Sequence, residues 1–190
     1  MKMKNNLKIG FIMILAITTM AFTNISEKNV DVQQSKVTWK GYKVTGQHEG
    51  TIDLKEGKLA FENNELKGGH FVIDMTTLGS TDLEGEWKGK LDGHLKSDDF
   101  FGVEKFPTAS LKITKVEKKG ENYTVTGYLT IKNITNPITF DMMVKDNSAS
   151  ASLKIDRSKF DVRFGSPSFF NDLQDKAIYD DFDINVNLAF

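Results

Sequence analysis

The sequence predicts an all-β fold, its antiparallel strands either closed into a barrel or packed as a sandwich. Three observations carry that expectation. Apolar and polar residues alternate with period two through about eight short runs, each bounded by Gly or Asn. No run has the length and spacing of a core helix, and nothing repeats at solenoid spacing. Only one stretch, Trp87 to Pro107 (WKGKLDGHLKSDDFFGVEKFP), reads as compact rather than extended.

The first residues stand apart. Lys2, Lys4 and Lys8 precede the apolar run IGFIMILAI, and Thr19-Met20-Ala21 offers small residues where a signal peptidase cuts. This is the pattern of a secretory signal peptide over residues 1–21, too short for a membrane span; the alternative is an uncleaved N-terminal anchor. No Cys follows it, which excludes a lipid-modified N-terminus. A mature domain over 22–190 would then be periplasmic or secreted, with no stable membrane span.

Asn24 to Ser35 reads as a polar tether. Val37, Trp39 and Gly41 alternate with Thr38 and Lys40. Ile52 and Leu54 flank Asp53; Gly57 reads as a turn, and Leu59 and Phe61 resume the alternation. Asn63-Asn64 turns the chain, and Phe71, Ile73 and Met75 share a face after Gly68-Gly69. The turn-rich segment Thr76 to Glu86 offers Thr81-Asp82 as a helix N-cap.

In the compact stretch, Leu91 and Leu95 share one helical face, and Asp98-Asp99 make a turn. Phe100, Phe101 and Phe106 supply apolar surface for a lid over the β-structure. Beyond Pro107 the inward faces are Ala109, Leu111 and Ile113; then Tyr123, Val125, Gly127, Leu129 and Ile131; then Ile138, Phe140, Met142 and Val144; then Ala149, Ala151, Leu153 and Ile155. Gly127, Ala149 and Ala151 are small where a packed core would prefer bulk, a hint of space inside. Arg157 to Leu173 is irregular and aromatic. The closing run sets Phe182, Ile184, Val186, Leu188 and Phe190 against Asp181, Asp183, Asn185 and Asn187.

A mature chain of 169 residues would bury about 70% of its unfolded surface, enough for a core without staples. The absence of cysteine rules out disulfides. Removing the three N-terminal lysines takes the formal charge from −1 to −4, with both signs interspersed and no basic stripe, so nucleic acid is not an expected partner.

Several motifs together resemble the YceI-like, polyisoprenoid-binding family: VTWKGYKVTGQHEGTI, GGHFVIDM, KLDGHLKSDDFFGVEKFPTASLKI, YTVTGYLTIKNITNPITF and IDRSKFDV, in order along the mature chain. One departure is Asn133, where the family often has Gly; Asn tolerates the same left-handed backbone. The resemblance implies an extended, lipocalin-like eight-stranded antiparallel barrel with a short helical lid. It also implies a partner: a long-chain apolar lipid, such as an isoprenoid or an isoprenoid quinone, held inside.

On that reading the lumen is lined by Trp39, Phe71, Ile73, Leu129, Phe140, Met142, Leu153, Ile184, Val186 and Leu188, and is widest at Ala149 and Ala151. It is roofed by Phe100, Phe101, Phe164, Phe169 and Phe170. The Phe164–Phe170 loop could equally form a docking patch or a homodimer seam. Arg157 and Asp156 read as an ion pair or backbone clamp ahead of a cation for a polar or phosphate head group. His48, His70 and His94 lack metal-ligand spacing, so no metal or other cofactor is expected. His48 and His94, which fall in the motifs that carry the resemblance, are expected to make a structural hydrogen bond or a rim contact, and His70, beside Gly69, is expected to be solvated. There is no G-x-S-x-G elbow and no Cys nucleophile. The rivals to a non-catalytic carrier are a filled barrel acting as a structural or docking module and a secreted hydrolase using His94 with Asp98.

Overall fold

A strand that shows one face to water and the other to a core must put successive side chains on opposite sides, and the alternations above do so. The computed structural model describes residues 25–190, and the signal-peptide stretch lies outside the described residues. Among them are nine strands and one α-helix: β1 (Ile25–Asn29), β2 (Asp31–Lys43), β3 (Gly46–Glu62), β4 (Glu65–Ser80), α1 (Gly85–Lys96), β5 (Thr108–Lys119), β6 (Asn122–Ile131), β7 (Ile134–Lys145), β8 (Ser148–Asp156) and β9 (Ile178–Ala189).

Each of β2 to β9 pairs antiparallel with its neighbour. β9 returns to β2 and β3 pairs with β4 as well as β2, so eight strands close into a barrel. Closure removes the sheet edges an exposed sandwich would leave. The turns have the chemistry the sequence announced. Asn63 and Asn64 both take positive φ (51° and 63°), as do Lys132 and Asn133 (51° and 60°), the mirror-image turn that joins twisted strands. Asn133 therefore keeps the shape a glycine would give.

Four expectations need correcting. The polar stretch after Asn24 is not a tether: Ile25 to Asn29 form β1, paired with Lys58 to Glu62 of β3, and Val30 is buried. Gly57 is not a turn. β3 runs straight through it, and its missing side chain admits Val30 and Phe71, whose atoms lie 2.9–3.1 Å from where a Cβ would sit. Val30 also donates its N–H to the Gly57 carbonyl. The segment after Asp74 stays extended to Ser80, pairing Gly79 with Thr51 and Ser80 with Gly50. Finally, Gly127 makes no space: a Cβ there would meet the Lys112 carbonyl oxygen at 2.5 Å. β5 shifts register between Ile113 and Lys115, and this crowding of backbone on backbone is what the glycine permits.

The wall is not uniform. β7 and β8 share only four paired positions, Met142↔Ala151 to Lys145↔Ser148. Where they part, the 3₁₀ turn Arg157–Phe160 fills the gap: Asn136 Nδ2 donates to the Lys159 carbonyl at 2.8 Å, and Phe160 and Val162 are buried. This wedge brings Arg157 to the mouth of the barrel.

Candidate ligand-binding cavity

The barrel is not filled by its own side chains. It encloses a cavity of about 400 Å³ that opens at the end carrying α1. From β2 and β4 come Trp39, Phe71 and Ile73; from β6 and β7, Leu129, Phe140 and Met142; from β8, Ala151 and Leu153; from β9, Ile184, Val186 and Leu188. The lid contributes Phe100 and Phe101, whose rings meet edge to face at 5.1 Å, and Phe101 reaches Phe182 at 6.5 Å. Phe164 completes the rim.

Three residues expected at the lumen are elsewhere. Ala149 is buried but lies outside the cavity wall, paired with Val144 and Leu188 towards the closed end. Phe169 and Phe170 point outward. Ser166, fully buried, accepts the N–H of each on its carbonyl, and this tight turn carries both rings to the outer surface, where Arg163 lies 5.0 Å over Phe169.

The lid is held by charge as well as by apolar contact. Leu95 is buried, and Leu91 and Leu95 both line the cavity, as the four-residue spacing requires. The N-cap position is Glu84, without a side-chain bond, so Thr81-Asp82 do not cap the helix. Asp82 instead takes a 2.8 Å bond with His48 Nδ1, tying the lid's approach to β3 at the rim. Asp92 accepts from the Ser80 N–H (2.7 Å), the Ser80 hydroxyl (2.8 Å) and Lys88 Nζ (2.9 Å). Burial alone would raise its pKa, but the bonds from Lys88 and Ser80 outweigh that and hold it below the usual carboxylate range.

A depressed carboxylate pKa contributes stability above its unfolded value that is lost as pH falls through the folded one. Lid anchoring should therefore weaken in acid. Asp92→Ala is expected to cost about 1–3 kcal/mol at neutral pH. Hydrogen exchange should show amides of Gly85–Lys96 losing protection while barrel amides keep theirs; unchanged lid protection would refute the anchor.

Arg157 is the charged group the sequence left between two roles. It is 2% exposed. Nε donates to the Tyr179 carbonyl (3.2 Å), Nη1 to Val162 (2.7 Å) and Nη2 to Ile178 (2.9 Å), and Asp180 stands 3.5 Å away. Burial pulls the guanidinium below arginine's usual pKa, while Asp180 and Asp156 favour its charge. Each of its three nitrogens serves a carbonyl, tying the loop at Val162 to the start of β9, so the clamp reading holds. Its face rests over Phe100, 5.2 Å from the ring centre.

The histidines do not converge. His48 is bonded at the rim, His70 is exposed on β4, and His94 sits under the lid between Phe100 (5.6 Å) and Phe164 (4.4 Å). Asp98 faces outward and bonds Lys105 at 2.6 Å. The imidazole and carboxylate of the proposed hydrolase pair are thus turned to different partners. Among the described residues no three His, Asp or Glu side chains are grouped to hold a metal, and no helix is long and apolar enough to cross a membrane. Sequence reading missed Tyr42, Ile178 and Tyr179 at the mouth. Tyr42 follows a glycine that breaks the apolar face, and the other two precede the alternation that marks β9.

The family model for the YceI-like domain matches residues 29–190, which takes in all eight barrel strands. The chain belongs to the YceI-like family. A UPF0312 protein of Photorhabdus laumondii is 49% identical over 91 residues, covering 47% of this chain and 44% of that protein. The chain spans less than half the length of the curated relatives it matches. Among solved structures, Burkholderia cenocepacia BcnA superposes with a TM-score of 0.70 at 22% identity, covering 85% of this chain and 99% of that one. A polyisoprenoid-binding domain from Saccharophagus degradans superposes at 0.57 and 13% identity, covering 87% and 97%. At such identities these two likenesses show that the YceI-like barrel is a shared fold.

Proposed function

We propose that this YceI-like barrel is an exported, non-catalytic carrier that sequesters one long apolar lipid, of isoprenoid or isoprenoid-quinone type, away from water. The observation that carries this reading is the cavity of about 400 Å³ walled by aliphatic and aromatic side chains. Small-molecule sites commonly occupy about 300–1,000 Å³ and are mostly apolar with a few placed polar groups. Burying each methylene is worth about 0.8 kcal/mol, so a chain of a few isoprene units binds without a strong polar anchor. The polyisoprenoid-binding description of the Saccharophagus degradans domain supports the ligand class. The pattern of residues 1–21 supports export to the periplasm or beyond, with 22–190 as the mature domain.

Native mass spectrometry of protein purified from its own host tests both parts at once. The polypeptide should begin at Phe22, and a lipid should leave it on organic extraction. A full-length chain retained in the membrane would overturn export. A mature protein that carries no lipid and takes up none from vesicles would overturn the carrier.

A further inference from the structure

His94 Nε2 is buried and makes no hydrogen bond. Buried side-chain nitrogens nearly always have a partner, and an exception asks for a reason. The ring lies on the last turn of α1, lines the cavity, and is pinned by the edge-to-face contacts with Phe100 and Phe164. Two of the polar residues that share the cavity wall with it are engaged elsewhere. Arg157 donates from all three nitrogens to backbone carbonyls, and the Tyr42 hydroxyl donates to Asp183 at 2.6 Å. Asp180 Oδ1 also lacks a hydrogen bond, but it lies 3.5 Å from Arg157 Nη2, so an opposite charge accounts for it. No protein group accounts for His94.

We propose that His94 Nε2 is the polar anchor for the head of the bound lipid, and that this head is an uncharged oxygen: a hydroxyl, ketone or quinone carbonyl. The proposal rests on the carrier reading and narrows it. A neutral imidazole can donate to a carbonyl or accept from a hydroxyl through one nitrogen, which suits a head with one such oxygen. A phosphate has several acceptor oxygens and a net charge, and burying it here would require several donors. Each nitrogen of the Arg157 fork already serves a carbonyl and its charge faces Asp180, so it is poorly placed to take up a second anion. Lys43 also lines the cavity and could meet an anion at the rim, so a phosphate-headed chain belongs in the test.

The test uses phytane, phytol and phytyl phosphate, which share one branched skeleton and differ in the head. Trp39 lines the cavity and reports binding by fluorescence once the exposed Trp87 is replaced by Phe. Phytol should bind about tenfold more tightly than phytane, the size of one net hydrogen bond, and the phosphate should gain nothing over phytol. His94→Leu should abolish the difference by weakening phytol and sparing phytane, and His94→Gln, which keeps an amide, should restore part of it. The anchor is overturned if His94→Leu weakens phytane and phytol alike, if it weakens neither, or if the phosphate binds tightest through His94. If the parent protein binds phytane and phytol equally, this proposal alone fails. If it binds none of the three, the carrier reading fails with it.

Discussion

Replacing Arg157 with alanine is expected to cost about 3–5 kcal/mol of folding stability, the range for breaking a buried charge network by removing one partner. The guanidinium is 2% exposed and serves the carbonyls of Val162, Ile178 and Tyr179. Truncation orphans all three and leaves Asp180 beside an apolar gap. Each unsatisfied buried carbonyl costs about 1–3 kcal/mol, less where water enters. A domain whose whole stability is about 5–15 kcal/mol would lose a large part of it.

Arg157→Lys should recover little, because an ammonium cannot reproduce the planar fork that spans both sides of the β8–β9 corner. Urea unfolding measures the loss as a lowered midpoint with an unchanged slope. A shift below about 1 kcal/mol would mean that solvent already reaches these carbonyls, and that the corner is held by Phe160 and Val162 instead.

This clamp marks the boundary of what the sequence could show. The strands were legible because period-two alternation is imposed residue by residue, and the run from Phe182 to Leu188 lies within β9 as its alternation requires. The turns were legible wherever a left-handed residue is needed, as at Asn63-Asn64. Glycines misled because the residue serves two purposes. At Gly120, in the β5–β6 hairpin, it permits positive φ (61°), whereas at Gly57 and Gly127 it permits another chain segment to approach, and only the partner segment distinguishes them. The site was legible along the strands, whose inward faces follow from alternation. At the mouth it was legible only in part: Phe100, Phe101, Phe164 and the rim histidines were expected there, whereas Tyr42 and Tyr179, at the ends of strands, meet them only through closure of the barrel. Phe169 and Phe170 looked like roof because they are aromatic, but the buried Ser166 turns them outward.

Ala151 and Ala149 separate a carrier from a solid barrel, because they share a strand and a face yet lie on opposite sides of the cavity's floor. Ala151 lines the cavity, opposite Met142 and Val186; Ala149 lies two residues nearer the closed end, packed between Val144 and Leu188. A phenylalanine at 151 has empty lumen to enter. Ala151→Phe should stay folded with a thermal midpoint close to the parent's while lipid occupancy falls to a small fraction, read by native mass spectrometry. A phenylalanine at 149 has no such space, and overpacking a filled core costs about 1–3 kcal/mol, occasionally more. Ala149→Phe should therefore lower the midpoint first and lose lipid only as it unfolds. Equal destabilisation by both substitutions would mean that the space beside Ala151 closes in solution. Full lipid occupancy in folded Ala151→Phe would mean that the lipid does not reach the floor of the barrel and is held at the mouth, by the lid and Phe164.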